Sequence, residues 1–357
     1  MGNFHRKNVL LGFSGGADST AAVLLLRKAG YEVTGLHFNV LREDSIVSKE
    51  EDNVNSVAKQ LSLPLIFKDV SVAFKNKIIK SFCEDYINGR TPNPCVMCNP
   101  LIKFNILQKT ADEMGISYLS TGHYSRIYQK SNDISYIQQA INEKKDQSYM
   151  LYRLPEEIVR RIIFPLGEMK SKEATREMLR EVGLINADKK DSQDICFIKG
   201  CSYKDFIKNQ GISSKPGNFI DKGGNILGTH EGLVNYTIGQ RKGLNKTFGK
   251  PMFVLSMCKD DNTVTLGESV DLLETDVQFT NPCYTAYGNS LYLPSEYENI
   301  EVSVKLRYSA KSAKALLTQR NAPYPVLKFE EPQRAPTSGQ SAVLYIDDVL
   351  IGGGIII

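Results

Sequence analysis

No apolar run in the sequence approaches the roughly 18 residues needed to span a bilayer, and residues 1–7 are polar rather than leader-like. The expectation is a cytoplasmic protein with no membrane contact. Charge of one sign is also scarce. With 44 Lys and Arg against 40 Asp and Glu, the formal net charge is only +4, which permits a nucleic-acid partner through a local patch without demanding one. Internal repeats and low-complexity tracts are missing, as are the Gly-Lys-Ser/Thr ending of the P-loop and the spacing of the dinucleotide fingerprint. A second Cys-x-x-Cys, which a closed four-thiol zinc site would use, is absent too. The seven cysteines (83, 95, 98, 196, 201, 258 and 283) would sit in a reducing compartment. Catalytic or metal-binding roles are favoured there over a disulfide framework.

What is present begins at Val9. The apolar run Val9-Leu10-Leu11 has strand character and leads through Gly12-Phe13-Ser14-Gly15-Gly16-Ala17-Asp18-Ser19 into the apolar helix pattern Ala21–Leu26. A glycine pair at a strand-to-helix turn lets backbone N–H groups approach an anion closely, and the helix N-terminus adds partial positive charge. An ordinary β-α turn explains Gly-Gly alone. The full Ser-Gly-Gly-Ala-Asp-Ser resembles the PP-loop of the ATP pyrophosphatase superfamily. That resemblance implies cleavage of ATP between the α- and β-phosphates and adenylation of a substrate oxygen, and it says nothing about which substrate.

Strand patterns at Glu32–Phe38, Pro64–Val70 and Tyr118–His123 alternate with helical ones at 44–61, 74–86, 101–114 and 170–182, the last closed by Gly183 as C-cap. Alternation of this kind predicts a parallel sheet covered on both faces, with ligands beyond the carboxyl ends of the strands. Ser14–Ser19, Phe38 and Gly122-His123 would gather there. After about residue 199, Gly-rich turns separate short strands and helical periodicity becomes scarce. From Val277 onward the pattern is almost entirely β, as in a small barrel. The expected architecture is α/β: a PP-loop (adenine nucleotide α-hydrolase-like) catalytic domain over 1–199, a small mixed or β central domain over 200–272, and an all-β barrel over 273–357.

Two cysteine segments stand out. In Thr91-Pro92-Asn93-Pro94-Cys95-Val96-Met97-Cys98-Asn99-Pro100, Asn99 fits an N-cap and Pro100 the first helical position. Cys98 would then lie just ahead of a helix N-terminus, a setting that lowers thiol pKa. A zinc half-site is the competing reading. Cys196 lies in Ile195-Cys196-Phe197-Ile198, where a thiol can equally be a small core residue.

Over nearly its whole length the sequence resembles the bacterial tRNA-specific 2-thiouridylases. The motifs are the PP-loop; Gly89-Arg90-Thr91-Pro92-Asn93-Pro94 with Cys98-Asn99; Ile102-Lys103-Phe104; Thr121-Gly122-His123-Tyr124; and Lys145-Asp146-Gln147-Ser148-Tyr149. They continue with Phe164-Pro165-Leu166-Gly167, Lys190-Asp191-Ser192 with Ile195-Cys196-Phe197-Ile198, Tyr236–Leu244, Arg307-Tyr308 and Gly339–Val343. The resemblance implies ATP-dependent sulfur transfer, with Mg2+, to C2 of the wobble uridine (position 34) of tRNAs for lysine, glutamate and glutamine. Sulfur would come from a carrier protein or cysteine desulfurase. Cys196 matches the cysteine that carries the persulfide and Cys98 the nucleophile. Gly12, Phe13, Ser14, Gly15, Gly16, Ala17, Asp18, Ser19, Phe38 and Gly122 match ATP contacts. Asn93, Pro94 and Cys95 match the strip beside the target base. His123, Lys145, Asp146, Gln147, Arg307, Tyr308 and Gln340 match tRNA contacts. An anticodon loop offers an already unpaired base for such chemistry.

Three departures are visible. Ala17 stands where the family usually has Val, the segment after Phe38 is short, and Cys95 stands where many members have Asp. Cys95, Cys98 and Cys196 could therefore instead ligate a [4Fe–4S] cluster with one open iron. Two other functions fit the PP-loop alone: a different adenylating ligase, with no use for Cys98 and Cys196, and a non-catalytic paralogue that binds RNA or carries sulfur.

Overall fold

In a computed structural model the described residues are 7–41, 44–130, 134–188, 195–246, 248–320 and 322–357, with the side chains of 44–50 outside the description. The chain divides into two compact units. The first comprises Met1–Lys77, Cys95–Phe197 and Asp348–Ile351, and the second Ile78–Pro94, Ile198–Asp347 and Gly352–Ile357.

In the first unit, β1 (Lys7–Gly12) is followed by α1 (Ala17–Lys28), β2 (Tyr31–Asn39), α2 (Asp44–Gln60), β3 (Leu65–Asp69) and, further along, β4 (Tyr118–Thr121). The sheet order is β3-β2-β1-β4, extended by the short strand Ile162–Ile163, and the pairings are parallel. Strand β1 is central. Val9, Leu10 and Leu11 are each 0% exposed, as a strand covered on both faces requires. Helix α1 covers one face through Ala21, Ala22, Val23 and Leu26, joined by Val54, Val57 and Ala58 of α2. Each large aliphatic side chain so buried contributes about 1.5–3 kcal/mol. Sequence order reverses between β1, which pairs with β2 on one side, and β4 on the other. This switch point is where ligands bind in open α/β sheets.

The second unit holds a four-stranded sheet of Phe253–Cys258, Thr263–Gly267, Gly217–Ile220 and Ile226–His230 in that order, packed around Phe219, Tyr236, Val254 and Leu266. A helix the sequence pattern did not reveal, Tyr203–Asn209, precedes it. Seven residues are too short for periodicity, but a capping box between Ser202 and Asp205 starts it. The C-terminal strands Leu273–Tyr284, Val326–Arg334, Ala313–Thr318, Ile300–Lys305, Ser341–Ile346 and Val349–Ile356 follow one another in the sheet. Phe279 pairs with Ile356, which closes them into the antiparallel barrel expected from the sequence.

Candidate active site

The loop between β1 and α1 is built from its own short side chains. Gly15 takes φ +66°, a left-handed conformation that suits glycine. The Ser14 N–H donates to Ser19 Oγ at 3.3 Å, the Gly16 N–H to Ser14 Oγ at 3.3 Å, and Ser19 Oγ to Gly16 O at 3.1 Å. Asn186 Nδ2 donates to Gly15 O at 3.0 Å and to Thr20 Oγ1 at 2.7 Å, so a distant residue fixes the loop from behind. Gly16 ends the extended segment without any side-chain cap, and α1 begins at Ala17. The first N–H groups of α1 therefore have no helical acceptor and form an anion site with the helix dipole. Phe13 is 1% exposed. Its N–H donates to Leu36 O at 2.8 Å and its carbonyl meets His37 Nδ1 at 2.9 Å, so it shapes the loop from the core side.

The other expected nucleotide residues converge on this loop. A Cβ built at Gly12 would lie 3.5 Å from Phe38 and 3.4 Å from Thr121. One built at Gly122 would lie 2.8 Å from Ser19 N and 2.9 Å from Asp18 C, so only a glycine lets the end of β4 approach α1 this closely. Asp18 is held by Lys172 Nζ at 2.5 Å and Tyr124 OH at 2.9 Å, with Thr175 Oγ1 3.0 Å from the same phenol oxygen. Lys172 and Asn186 were not singled out from the sequence, and Tyr124 was quoted there only within the motif Thr121–Tyr124, without a role. The one available signal for Lys172 was its place directly after the N-cap Ser171 of the helix Lys172–Glu181. Asp18 supplies a single carboxylate, which suits a Mg2+ carried largely by substrate phosphates, with Lys172 as its present partner.

The thiol site is built differently from the sequence expectation. Helix residues run from Pro94 to Cys98, widen into a π-turn over Asn99–Lys103 and resume as an α-helix over Phe104–Glu113. Cys98 thus lies inside helical structure and not ahead of a helix N-terminus. The Asn-Pro signature at 99–100 is absorbed because Pro100 has no N–H and crowds the carbonyl four residues back. The wide turn answers this with an i→i+5 bond from the Phe104 N–H to Asn99 O. Asn99 is 1% exposed and donates to Met150 O at 2.8 Å. Cys98 is 5% exposed. Burial pushes its thiol up to about 12, against a downward pull from Lys103 and with further upward contributions from Cys196 and Cys95. Cys95 is half-buried and Cys196 exposed. Phe197 anchors the segment carrying Cys196 by an edge-on contact with Phe74, centroids 5.6 Å apart.

Lys103, quoted from the sequence only within Ile102-Lys103-Phe104 and without a role, interacts with all three thiols. Burial works to depress its ammonium, but Cys98, Cys95 and Cys196 outweigh that and hold it above its ordinary value. His123 is pushed down to about 3 by burial and by Lys103, and is therefore neutral. Its Nδ1 meets Thr121 Oγ1 at 2.7 Å, and its ring stacks with Phe104 at 6.1 Å. No group of three or more His, Cys, Asp or Glu among the described residues is placed to hold a metal ion. The thiols with a cation among them do not fit a [4Fe–4S] cluster.

Of the expected tRNA contacts, Lys145 and Gln147 are half-buried. Gln147 Oε1 accepts from the Tyr124 N–H at 2.9 Å. Asp146 departs from expectation. It is 3% exposed, with Oδ1 accepting from the N–H groups of Ala140 and Ser148 and Oδ2 from the Ser148 hydroxyl at 2.8 Å. Its carboxylate turns inward and shapes the loop. In the second unit, Asn93 and Pro94 follow Thr91, whose carbonyl accepts from Gln340 Nε2 at 2.6 Å. Gln340, expected as a tRNA contact, thereby braces the segment that leads into Asn93 and Pro94. Arg307 and Tyr308 lie just past the strand Ile300–Lys305.

Three family models match the chain: tRNA methyl transferase HUP domain over residues 7–200, tRNA methyl transferase PRC-barrel domain over 204–268, and aminomethyltransferase beta-barrel domain over 283–356. The chain is 42% identical over 361 residues to tRNA-specific 2-thiouridylase MnmA 1 of Clostridium botulinum, covering 98% of this chain and 99% of that protein. It is 37% identical over 363 residues to tRNA-specific 2-thiouridylase MnmA of Clostridioides difficile, covering 99% of each. A solved 4-thiouridine synthetase–RNA complex with bound ATP is similar at 21% identity and TM-score 0.35, over 57% of this chain and 50% of that one. With Cys98 and Cys196 in the same compact unit as the PP-loop and this identity end to end, the chain belongs to the tRNA-specific 2-thiouridylase family.

Proposed function

We propose that the protein uses ATP to replace the C2 oxygen of uridine 34 in tRNA with sulfur. The observation that carries this is the pairing, within one unit, of a PP-loop at the sheet's switch point with a buried thiol, Cys98, and an exposed one, Cys196. A uracil C2 carbonyl is a poor electrophile. The loop Gly12–Ser19 holds the ATP phosphates, the C2 oxygen attacks the α-phosphorus, and pyrophosphate leaves. AMP then becomes the leaving group on C2. Mg2+, held by Asp18 and the phosphates, would neutralise charge on the departing pyrophosphate.

Sulfur arrives as a persulfide on Cys196, whose exposure suits loading by a carrier protein or cysteine desulfurase. The Cys98 thiolate attacks the Cys196 Sγ and forms a disulfide. The electron pair of the cleaved S–S bond leaves with the terminal sulfur as hydrosulfide, which adds to C2 as AMP departs. A thiol reductant returns two electrons to the disulfide. This exchange needs one attacking and one resolving sulfur. The tRNAs for lysine, glutamate and glutamine are the proposed substrates, and the cytoplasm the proposed location. Residues 1–199 are the proposed catalytic domain, 200–272 the proposed tRNA-contacting central domain and 273–357 the proposed C-terminal β-barrel domain.

A test with purified protein follows release of pyrophosphate from ATP. Release should require tRNA with uridine at position 34 and persist in Cys98→Ala, while sulfur incorporation is lost. Release that ignores tRNA but responds to a small acid would instead indicate an adenylating ligase.

A further inference from the structure

We propose that Lys103 is the electrostatic positioning residue of the sulfur-transfer step, the fixed counter-ion for the anionic sulfur formed at Cys98 and passed from Cys196. The inference rests on the sulfur-transfer reading above. Its first support is the path of the backbone. On a regular α-helix of 3.6 residues per turn, positions five apart lie about 140° from one another, so Lys103 would face away from Cys98. The π-turn over Asn99–Lys103, closed from Phe104 N–H to Asn99 O, takes more residues per turn and so rotates Lys103 back toward the side of Cys98. Pro100 makes that turn necessary, because its ring is incompatible with a regular α-helix at this position. The helix defect thus turns Lys103 toward the side that carries Cys98, and the two groups interact electrostatically.

The second support is what surrounds the ammonium. Cys98, Cys95 and Cys196 all interact with Lys103 favourably enough to overcome its burial, and no carboxylate among the described residues pairs with it. His123, the neighbouring base, is kept neutral in part by Lys103 itself and so does not compete for the role. Asn99, next to Cys98, is 1% exposed and its Oδ1 has no hydrogen-bond partner. Among the described residues Lys103 is the cation that pulls on the Cys98 thiol. Burial holds the Cys98 thiol high and Lys103 pulls it down, so without that cation the attacking thiolate would be scarcer still. In the exchange itself the negative charge begins on Cys98 Sγ and ends on the released hydrosulfide. A fixed cation beside both positions stabilises the charge throughout its movement, which is the way preorganised charges accelerate such steps.

The experiment compares the full-length protein with Lys103→Met, Lys103→Gln and Lys103→Arg. The rate of Cys98 modification by the neutral reagent methyl methanethiosulfonate at one fixed pH is read from the mass of the Cys98 peptide. Pyrophosphate release and sulfur incorporation are measured in parallel. Both neutral variants should lower the Cys98 modification rate about tenfold, the equivalent of one pKa unit, and sulfur incorporation with it. Pyrophosphate release should stay within about twofold, and Lys103→Arg should recover most of the modification rate. An unchanged Cys98 rate in either folded neutral variant overturns the proposal, as does a Lys103→Arg protein as slow as Lys103→Met. Failure of the underlying reading looks different: Cys98→Ala would still incorporate sulfur.

Discussion

Replacing Gly122 by Ala tests whether the nucleotide loop depends on close backbone approach. The new Cβ would lie 2.8 Å from Ser19 N, 2.9 Å from Asp18 C and 3.1 Å from Ser19 Cα, all backbone atoms in the first turn of α1. No side-chain rotation relieves such contacts. Restoring an ordinary separation of 3.4 Å requires about 0.6 Å of movement between β4 and α1. Overpacking of this kind costs about 1–3 kcal/mol. At about 3 °C per kcal/mol for a unit of this size, that lowers the Tm by roughly 3–9 °C. Because the displaced atoms carry the N–H groups of the anion site, ATP affinity should also fall, by at least about fivefold if 1 kcal/mol of the strain is relieved only by moving the loop. Differential scanning calorimetry and equilibrium ATP binding read the two effects. Gly12→Ala, whose Cβ finds atoms at 3.4 Å and beyond, is the comparison for stability and should lose less. A Gly122→Ala protein with unchanged Tm and unchanged ATP affinity would refute the reasoning.

Three further outcomes follow from the same geometry. Asp146→Ala leaves the N–H groups of Ala140 and Ser148 and the Ser148 hydroxyl without their acceptor. It should cost about 2–3 kcal/mol in denaturant unfolding, and tRNA affinity of the folded fraction should stay within about twofold; a stable variant with weakened tRNA binding would reverse the assignment. Lys172→Met removes the cation on Asp18. Stability should fall by only about 1 kcal/mol because the carboxylate is partly solvated, while the KM for ATP in pyrophosphate release should rise about tenfold and Lys172→Arg should restore part of it. An unchanged KM would remove Lys172 from the nucleotide site. His123, held at about 3 in the folded protein, is protonated in the unfolded chain below about pH 6.5. Unfolded chains then bind more protons, so stability is full above pH 6.5 and declines toward pH 3 by up to about 1.4 kcal/mol per pH unit from this group. His230 is shifted in the same direction. Urea midpoints at pH 7, 6 and 5 should converge less steeply for His123→Gln than for the parent, and parallel curves would contradict the shift.

The parallel sheet was legible because β1 is apolar on both faces and its turn is spelled out by Ser14–Ser19. Burial and local chemistry point to the same element there. The barrel was legible because stretches such as Ala342–Ile346 and Val349–Ile356 carry no charged residue and are almost wholly apolar. The helix start near the thiols was not. The stretch contains two Asn-Pro pairs, at 93–94 and 99–100, and each alone is a valid beginning. Only tertiary structure selects the first, by burying Asn99 against Met150 O and widening the turn around Pro100. The role of Lys103 was hidden for the same reason, since an α-helical wheel places it away from Cys98. Asp146 misled in another way. A Lys-Asp-Gln run looks solvated, and nothing local announces that its carboxylate closes a loop on Ala140 and Ser148. Lys172 and Asn186 act on residues 12–20 across more than 150 positions of sequence, a separation that pattern reading does not bridge.

The central claim is sulfur-for-oxygen exchange at one base by one pair of cysteines. Mass spectrometry of wobble nucleosides from a strain lacking this protein, complemented with the parent, Cys98→Ala, Cys196→Ala or Cys201→Ala, addresses it most directly. The account predicts that 2-thiouridine at position 34 disappears in the deletion, returns with the parent and Cys201→Ala, and stays absent with Cys98→Ala and Cys196→Ala. Restoration of 2-thiouridine by either Cys98→Ala or Cys196→Ala would contradict it.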